Sequence, residues 1–378
     1  MSPRFSVLLP THNRADLLGY AIRSVLWQTE GDFELLVVGD GCTDDSAKVV
    51  AGFGDARIRW FDLPKAPHYG YANRNVALRQ AAGEYIAFMA HDDLVLPDHL
   101  ALLADTIERS AAEWVYSRPL WVSADGVVVP FAGNLRNADE LDVFLTTRNH
   151  IPASCVLHRR SCLDKYGYWP EDVPFAADWR YWIRIIEGGR RANLAYCPTP
   201  SVLHFRAAWR DGRAGGMPQL AAALELADRA SWWPAALKMP IAAGALEQQV
   251  FHDAIKSDGY VEALRAGVTR VVERLAWDRL DETPGVLATH RATEQQLREV
   301  IAGRDAELAQ AKDAIAAHAA EISRLRAAYA EQARETTAAK AQLQRTYDST
   351  SWKLTAPLRA LRRALGSSPR LRGEGGEH

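Results

Sequence analysis

Two runs, FSVLL (5–9) and ELLVV (34–38), are apolar without alternation, and the stretch between them is built on a different period. Continuous apolar runs of strand length belong to parallel strands covered on both faces. In the interval, Leu17, Leu18, Ala21, Ile22, Val25 and Leu26 recur at helical spacing, with Asn13 and Asp16 placed to cap the helix start. RIRWFDL (57–63) predicts a third strand, residues 72–82 a helix and EYIAFMA (84–90) a fourth strand. Parallel strands cannot be joined by a tight turn, so this succession commits the chain to an α/β fold: a Rossmann-like mixed, mainly parallel sheet flanked by helices.

The pattern then changes. WVYSRPLWVSADGVVVP reads as an antiparallel hairpin turning at Asp125 and Gly126, FAADWRYWIRIIEGG (175–189) as an amphipathic helix stopped by two glycines, and residues 191–206 as a closing strand pair. These place the end of a compact domain (1–210) near residue 210, followed by an Ala- and Leu-rich helical extension (211–290). Ile301, Leu308, Ile315, Ile322, Tyr329, Thr336 and Leu343 fall seven apart, which predicts a long C-terminal coiled-coil helix (291–347) and offers a route to a homo-oligomer. The second seam (Arg304, Ala311, His318, Leu325, Gln332, Ala339) holds one large apolar residue, so a solitary helix is the competing reading. A tail (348–378) sets Trp352, Leu354, Leu358, Leu361 and Leu365 beside Lys353, Arg359, Arg362 and Arg363, interrupted by Pro357. A basic amphipathic segment of this kind suits peripheral contact with an anionic membrane face, and equally a docking role on protein.

The formal net charge of -2 gives no global reason to expect nucleic-acid binding. Cys42, Cys155, Cys162 and Cys197 form no CxxC pair and have no ligand-like spacing with histidines, so neither a disulfide framework nor a zinc site is expected, and a reducing cytosol fits. No stretch reaches the roughly 18 uninterrupted apolar residues of a spanning helix. A soluble or peripheral protein on the cytoplasmic side is expected.

In an open α/β sheet, ligands gather at the carboxyl ends of parallel strands. PTHNR (10–14), GDGCTDDS (39–46) and AHDD (90–93) follow predicted strands one, two and four. Asp40 can accept from an imide N–H, Arg74 offers a planar fork of donors, and adjacent acids beside a diphosphate can hold a divalent cation. A nucleotide diphosphate satisfies all of these. No GxGxxG follows strand one and no GxxxxGK[ST] occurs, so a dinucleotide fingerprint and a P-loop are both absent.

VLLPTHNR, LLVVGDGCTDDS, GYANRNVALRQAAGEYIAFMAHDD and AADWRYWIRI, in this order and at these intervals, resemble glycosyltransferase family 2, inverting nucleotide-sugar transferases with the glycosyltransferase A fold. The resemblance covers about residues 4–206. It implies nucleotide contacts from Pro10, Thr11, Asn13, Arg14, Asp40, Arg74 and His91. The family's Asp-x-Asp signature, which binds Mg²⁺ or Mn²⁺ on the diphosphate, falls on Ala90, His91 and Asp92; its first acid is missing, and Asp92 keeps the ligand role with Asp93 supporting it. Gly39 stands where an aspartate often precedes Asp40. The family's Glu-Asp pair reads Ala177 and Asp178, which makes Asp178 the catalytic base, and His204 falls where related enzymes use a second metal ligand. Trp179 and Trp182 lie on one helix face and fit core packing better than sugar contact.

The resemblance thus implies transfer of a sugar from a nucleotide-diphosphate donor, UDP- or dTDP-linked, to a hydroxyl of a cell-surface glycan or lipid-linked glycan. Two other readings stay open. A sugar nucleotidyltransferase shares a related sheet but favours a glycine-bearing loop after strand one, which PTHNR lacks. An inactive scaffold organised by the coiled coil fits the acids lost at Ala90 and Ala177.

Overall fold

The computed structural model describes residues 2–131, 133–205 and 218–365. Four parallel strands open the fold: β1 (Phe5–Thr11), β2 (Phe33–Asp40), β3 (Ile58–Leu63) and β4 (Tyr85–Phe88). Helices α1 (Ala15–Leu26), α2 (Ser46–Ala51) and α3 (Tyr71–Leu78) connect them. The apolar runs are buried on both faces, and α1 turns the predicted Leu17, Leu18, Ala21, Ile22 and Val25 onto the sheet. Thr11 lies opposite Gly39, Gly39 opposite Asp62 and Asp40 opposite Leu63, so three carboxyl ends finish level with one another. β4 pairs with β1 only as far as Phe88 opposite Leu8, which frees Met89 to Asp93 to turn across the end of β1. Gly39 has a steric reason: a Cβ there would meet the Trp60 ring at 2.4 Å.

The second half is β5 (Leu94–Val95), α4 (His99–Ser110), β6 (Trp114–Val122), β7 (Val128–Pro130), α5 (Ala138–Thr146), β8 (Val156–Arg159), α6 (Ser161–Tyr166), α7 (Ala177–Gly188) and β9 (Leu194–Phe205). Among the described residues the strands form one sheet ordered β3-β2-β1-β4-β8-β6-β9-β5, with β7 on β6. It is mixed, and its long ladders are parallel. The predicted hairpin is β6 and β7, turning through Gly126 at φ 84°. The predicted closing strand pair is instead a single strand. β9 runs beside β6 from Leu194 to Cys197 and again from Val202 to Phe205, with residues 198–201 looping out around Arg118. Pro198 and Pro200 cannot donate to a ladder, and their sequence signature of a turn marks this bulge. Arg118 fills the gap by donating to the Pro198 carbonyl at 3.1 Å.

Helices α8 (Pro218–Arg229), α9 (Glu247–Ile255) and the start of α10 (Tyr260–Asp348) build a second apolar cluster. Leu220, Leu224, Phe251, Leu264 and Val268 pack there with Leu94, Val122, Leu203 and Phe205 of the sheet. Arg265 clamps Asp98 through two bonds of 2.8 and 2.6 Å. Met1–Asp281 form one compact unit and Glu282–His378 a second. In the second, Ile301, Leu308, Ile315 and Ile322 are each at least half exposed on α10. α11 (Thr350–Leu354) is capped by the Ser349 hydroxyl, and Pro357 sits in the first turn of α12 (Ala356–Leu365), where a missing N–H costs nothing. The tail beyond residue 365 lies outside the described residues. No helix among those described is long and apolar enough to cross a membrane.

Two buried imidazoles make the fold acid-sensitive. Burial pushes His99 and His158 down to a pKa of about 4, and the His158 Nε2 has no partner. In the unfolded chain both titrate near the ordinary value of about 6.5, so below that pH the unfolded state binds more protons. Their contribution is complete above about pH 6.5 and is lost as pH falls toward 4, by about 3 kcal/mol each. Thermal melts across that window should show a falling Tm, with a shallower fall in His158→Phe; an unchanged slope in that variant excludes His158 protonation as a cause.

Candidate active site

The loops after β1 and β2 are stitched together. His12 Nδ1 donates to the Asp40 carbonyl at 2.7 Å, and the Cys42 thiol reaches the Thr11 carbonyl at 3.6 Å. Asn13 adopts φ 50° and its Oδ1 accepts from the Thr43 and Asp44 N–H groups at 2.7 and 3.3 Å. Asn13 therefore does not cap α1, and neither does Asp16, which pairs with Arg14 at 3.1 Å. Asp44 serves instead: one oxygen accepts the Ala15 N–H at 2.9 Å, the other the Ser46 N–H at 3.1 Å, so one side chain satisfies donors at the starts of both α1 and α2. Thr11 is buried with its hydroxyl unpartnered, and the Pro10 carbonyl accepts from His91 Nδ1 at 3.3 Å. The turn after β4 thus lies against the end of β1.

Asp40 is 5% exposed and accepts from the Ala66 N–H at 2.9 Å, the Asn73 amide at 2.7 Å and the Lys65 ammonium. Burial alone would raise its pKa; the Ala66 N–H and Lys65 outweigh that and hold the carboxyl below the ordinary range. Gly70, at φ 75°, admits no side chain, because a Cβ would stand 2.4 Å from the Asp40 carboxyl carbon.

Arg74 connects this end to α7. Its guanidinium lies 5.2 Å from the Tyr71 ring centroid and 5.5 Å from that of Trp169, donates to the Tyr69 carbonyl and leaves Nε buried without a partner. Burial disfavours its charge, and Asp178, Tyr71 and Asp40 oppose that effect electrostatically. Asp178 stands in the first turn of α7, behind Ala176 at φ 55°. Protein surrounds it on most sides and raises its pKa, partly offset by the Trp179 N–H at 2.8 Å and by Arg74. Tyr71 accepts the Ala177 N–H, and Asn75 bonds both the Trp169 carbonyl, at 2.9 Å, and the Trp169 N–H, at 3.2 Å. Ala177 and Trp182 are fully buried in the core, and the Trp179 indole donates to the Phe144 carbonyl at 2.8 Å.

Asp93 is 1% exposed and is spent on internal bonds. It accepts from the Ser154 hydroxyl at 2.5 Å, His204 Nδ1 at 2.8 Å and the Phe205 N–H at 3.2 Å. Ser154 in turn accepts the Ala90 N–H at 2.9 Å. A carboxylate on Nδ1 fixes the imidazole tautomer and presents Nε2 as a ligand nitrogen. Asp92 is half-buried, and its carbonyl accepts from Gln248 at 3.1 Å. No cluster of three or more His, Cys, Asp or Glu side chains able to hold a metal occurs among the described residues. A cation that arrives with phosphate oxygens of its own needs fewer protein donors than an all-protein cage. Lys65 and Ser154 carry no motif-level signal and emerge from the packing alone, whereas Tyr71, Asn73 and Asn75 flank Arg74 within the GYANRNVALRQ run and that adjacency is their signal.

Residues 6–167 match the family model Glycosyl transferase family 2. A Mycobacterium bovis PGL/p-HBAD biosynthesis glycosyltransferase is 32% identical over 48% of this chain and 70% of its own length. A Campylobacter jejuni GalNAc(5)-diNAcBac-PP-undecaprenol beta-1,3-glucosyltransferase is 37% identical over 27% of this chain and 33% of its own. S. aureus TarS in complex with UDP-GlcNAc is similar over 67% of this chain and 70% of that one, with 19% identity and a TM-score of 0.46. The chain spans under a fifth of the length of the rickettsial glycosyltransferases that it also matches. On the family model and the mycobacterial relative, the chain belongs to glycosyl transferase family 2.

Proposed function

We propose that the protein transfers a sugar from a nucleotide-diphosphate donor to a hydroxyl acceptor with inversion at the anomeric carbon, and that Asp178 is the base. The carrying observation is that helix α3 joins the two ends of the site: Asn73 donates to Asp40 at 2.7 Å, while Arg74 lies over the ring of Tyr71, which accepts the N–H of Ala177, the residue before Asp178. The loops around Pro10, Thr11, Asn13, Arg14 and Asp40 receive the nucleotide, a UDP or dTDP species. His91 and Arg74 border the diphosphate. Asp92 and His204 would hold a Mg²⁺ or Mn²⁺ ion, with Asp93 orienting His204; when bound, that ion neutralises charge developing on the leaving diphosphate. Asp178 takes the proton of the acceptor hydroxyl as the oxygen attacks the anomeric carbon, and the sugar–phosphate bond breaks on the opposite face. Its raised pKa makes it a stronger proton acceptor than an ordinary aspartate, and the Trp179 N–H and Arg74 partly offset the effect of burial.

The acceptor is a cell-surface or lipid-linked glycan, a reading supported by the undecaprenol-linked substrate in the name of the Campylobacter relative. The exposed heptad stripe would pair with a second copy, and the basic tail would rest on an anionic membrane face.

With a panel of sugar nucleotides and Mn²⁺, the wild type should release nucleoside diphosphate, and Asp178→Asn should lower kcat by about 10²- to 10⁴-fold with donor affinity retained. Loss of kcat on acidification should begin above the range of an ordinary carboxylate, because the base must be deprotonated. Unchanged turnover in Asp178→Asn removes it from the role. Paramagnetic resonance of Mn²⁺ with UDP present should show affinity weakened about 10- to 100-fold in Asp93→Asn; equal affinity contradicts the orienting role. Sedimentation should give a dimer or higher state that becomes monomeric when Ile301, Leu308, Ile315 and Ile322 are changed to Lys, and deletion of 349–378 should abolish cosedimentation with phosphatidylserine vesicles; a monomeric wild type, or unaltered vesicle binding, defeats the respective assignment.

A further inference from the structure

Among the described residues from 2 to 205, Tyr69 and Phe175 are the aromatic side chains left mostly in solvent, at 68% and 60% exposure. The other Phe, Tyr and Trp rings of this region are buried or half-buried. The two exceptions lie on segments that Tyr71 joins. The Tyr69 carbonyl holds Arg74, and its ring lies 6.3 Å from that of Tyr71. Tyr71 reaches the Ala177 N–H, two residues after Phe175 and one before Asp178. Tyr69 therefore stands beside Arg74, and Phe175 lies three residues before Asp178 on the segment that Tyr71 holds.

The backbone at Tyr69 and the backbone just after Phe175 are also unusual. His68, Tyr69 and Gly70 take φ of 51°, 59° and 75° in succession, and Ala176 takes 55°. Non-glycine residues avoid this region unless surrounding contacts impose it, and such outliers gather at functional sites. Here the contacts are identifiable: Gly70 is pressed on the Asp40 carboxylate, and Arg74 ties down the Tyr69 carbonyl. The same residues that shape the nucleotide end hold Tyr69 outward.

We infer that Tyr69 and Phe175 form the platform on which a pyranose ring of the acceptor rests while its hydroxyl meets Asp178. This deepens the proposed transfer and rests on it. An acceptor must bring a hydroxyl within hydrogen-bond reach of the base, so it must cover the surface around the start of α7. A pyranose has one face of C–H groups and a rim of hydroxyls. Exposed aromatic rings match the face, and carboxylates and amides match the rim. A glycan is thereby the occupant that fits both the exposed rings and the Asp178 carboxylate.

The test uses the full-length protein with Mn²⁺, a panel of UDP- and dTDP-sugars and p-nitrophenyl pyranosides as acceptors, taking the pair with the fastest transfer. Tyr69→Ala and Phe175→Ala should each raise the acceptor KM by about 3- to 10-fold, in the range measured for single aromatic contacts, with donor KM unchanged and Tm retained. Tyr69→Phe and Phe175→Tyr should restore the wild-type acceptor KM. An unchanged acceptor KM in both alanine variants overturns the platform. So does a rise in donor KM instead, which assigns the rings to the nucleotide, or a change in sedimentation, which assigns them to self-association. Absence of nucleoside diphosphate release by the wild type with every donor defeats the transferase reading itself, and the platform with it.

Discussion

A guanidinium held between two aromatic rings and two carboxylates organises this site. Arg74 is a charge taken largely out of water, which is tolerable only where opposite charge and polar atoms compensate it. Asp40 and Asp178 supply the charge and Tyr69 the carbonyl. The neighbours of Arg74 on α3 extend the same tie in other directions. Tyr71 reaches the start of α7, Asn73 bonds Asp40, and Asn75 clasps the backbone of Trp169. One short helix thus sets the separation between the loop after β2 and the carboxylate that begins α7. Removing Arg74 would leave Asp178 with burial unopposed by a nearby cation, and its proton affinity would climb further.

Residues that depart from the family pattern have local explanations. Gly39 cannot carry a side chain because Trp60 occupies the space. Ala177 is part of the core. Ala90 presents its N–H to Ser154, which also bonds Asp93, and Asp93 in turn fixes His204. An acid missing from one position is accompanied by an imidazole held in place by another acid. In the proposed transfer, Asp92 and His204 would be the donors to a cation that brings phosphate oxygens of its own.

The parallel half of the sheet was legible because burial on both faces leaves a direct trace: runs without alternation, separated by a helical period. The carboxyl-end location of Thr11, Asp40 and Asp92 follows from that topology alone. Other features left no local trace. Asp44 looks like the cap of one helix and satisfies two, because the loop after β1 folds back on it from 29 positions away. β9 looks like two strands, since prolines at 198 and 200 write a turn into a segment that bulges and then resumes its ladder. Lys65 beside Asp40 and Ser154 beside Asp93 are long-range contacts of residues with no distinguishing neighbours in sequence. The heptads predicted the helical conformation of residues 291–347, but a partner for their apolar stripe is a property of assembly and not of one chain.

The central claim is that residues scattered from Thr11 to Asp178 enclose a single nucleotide-sugar cavity organised by Arg74. A crystal structure of the protein with a turned-over donor, or its nucleoside diphosphate and Mn²⁺, tests this most directly. The account predicts the base against Asp40, the diphosphate between Arg74 and the cation on Asp92 and His204, and Asp178 facing open space beside the phosphates. A nucleotide bound away from the carboxyl ends of β1 and β2, or an Asp178 cut off from it by intervening protein, would contradict the account.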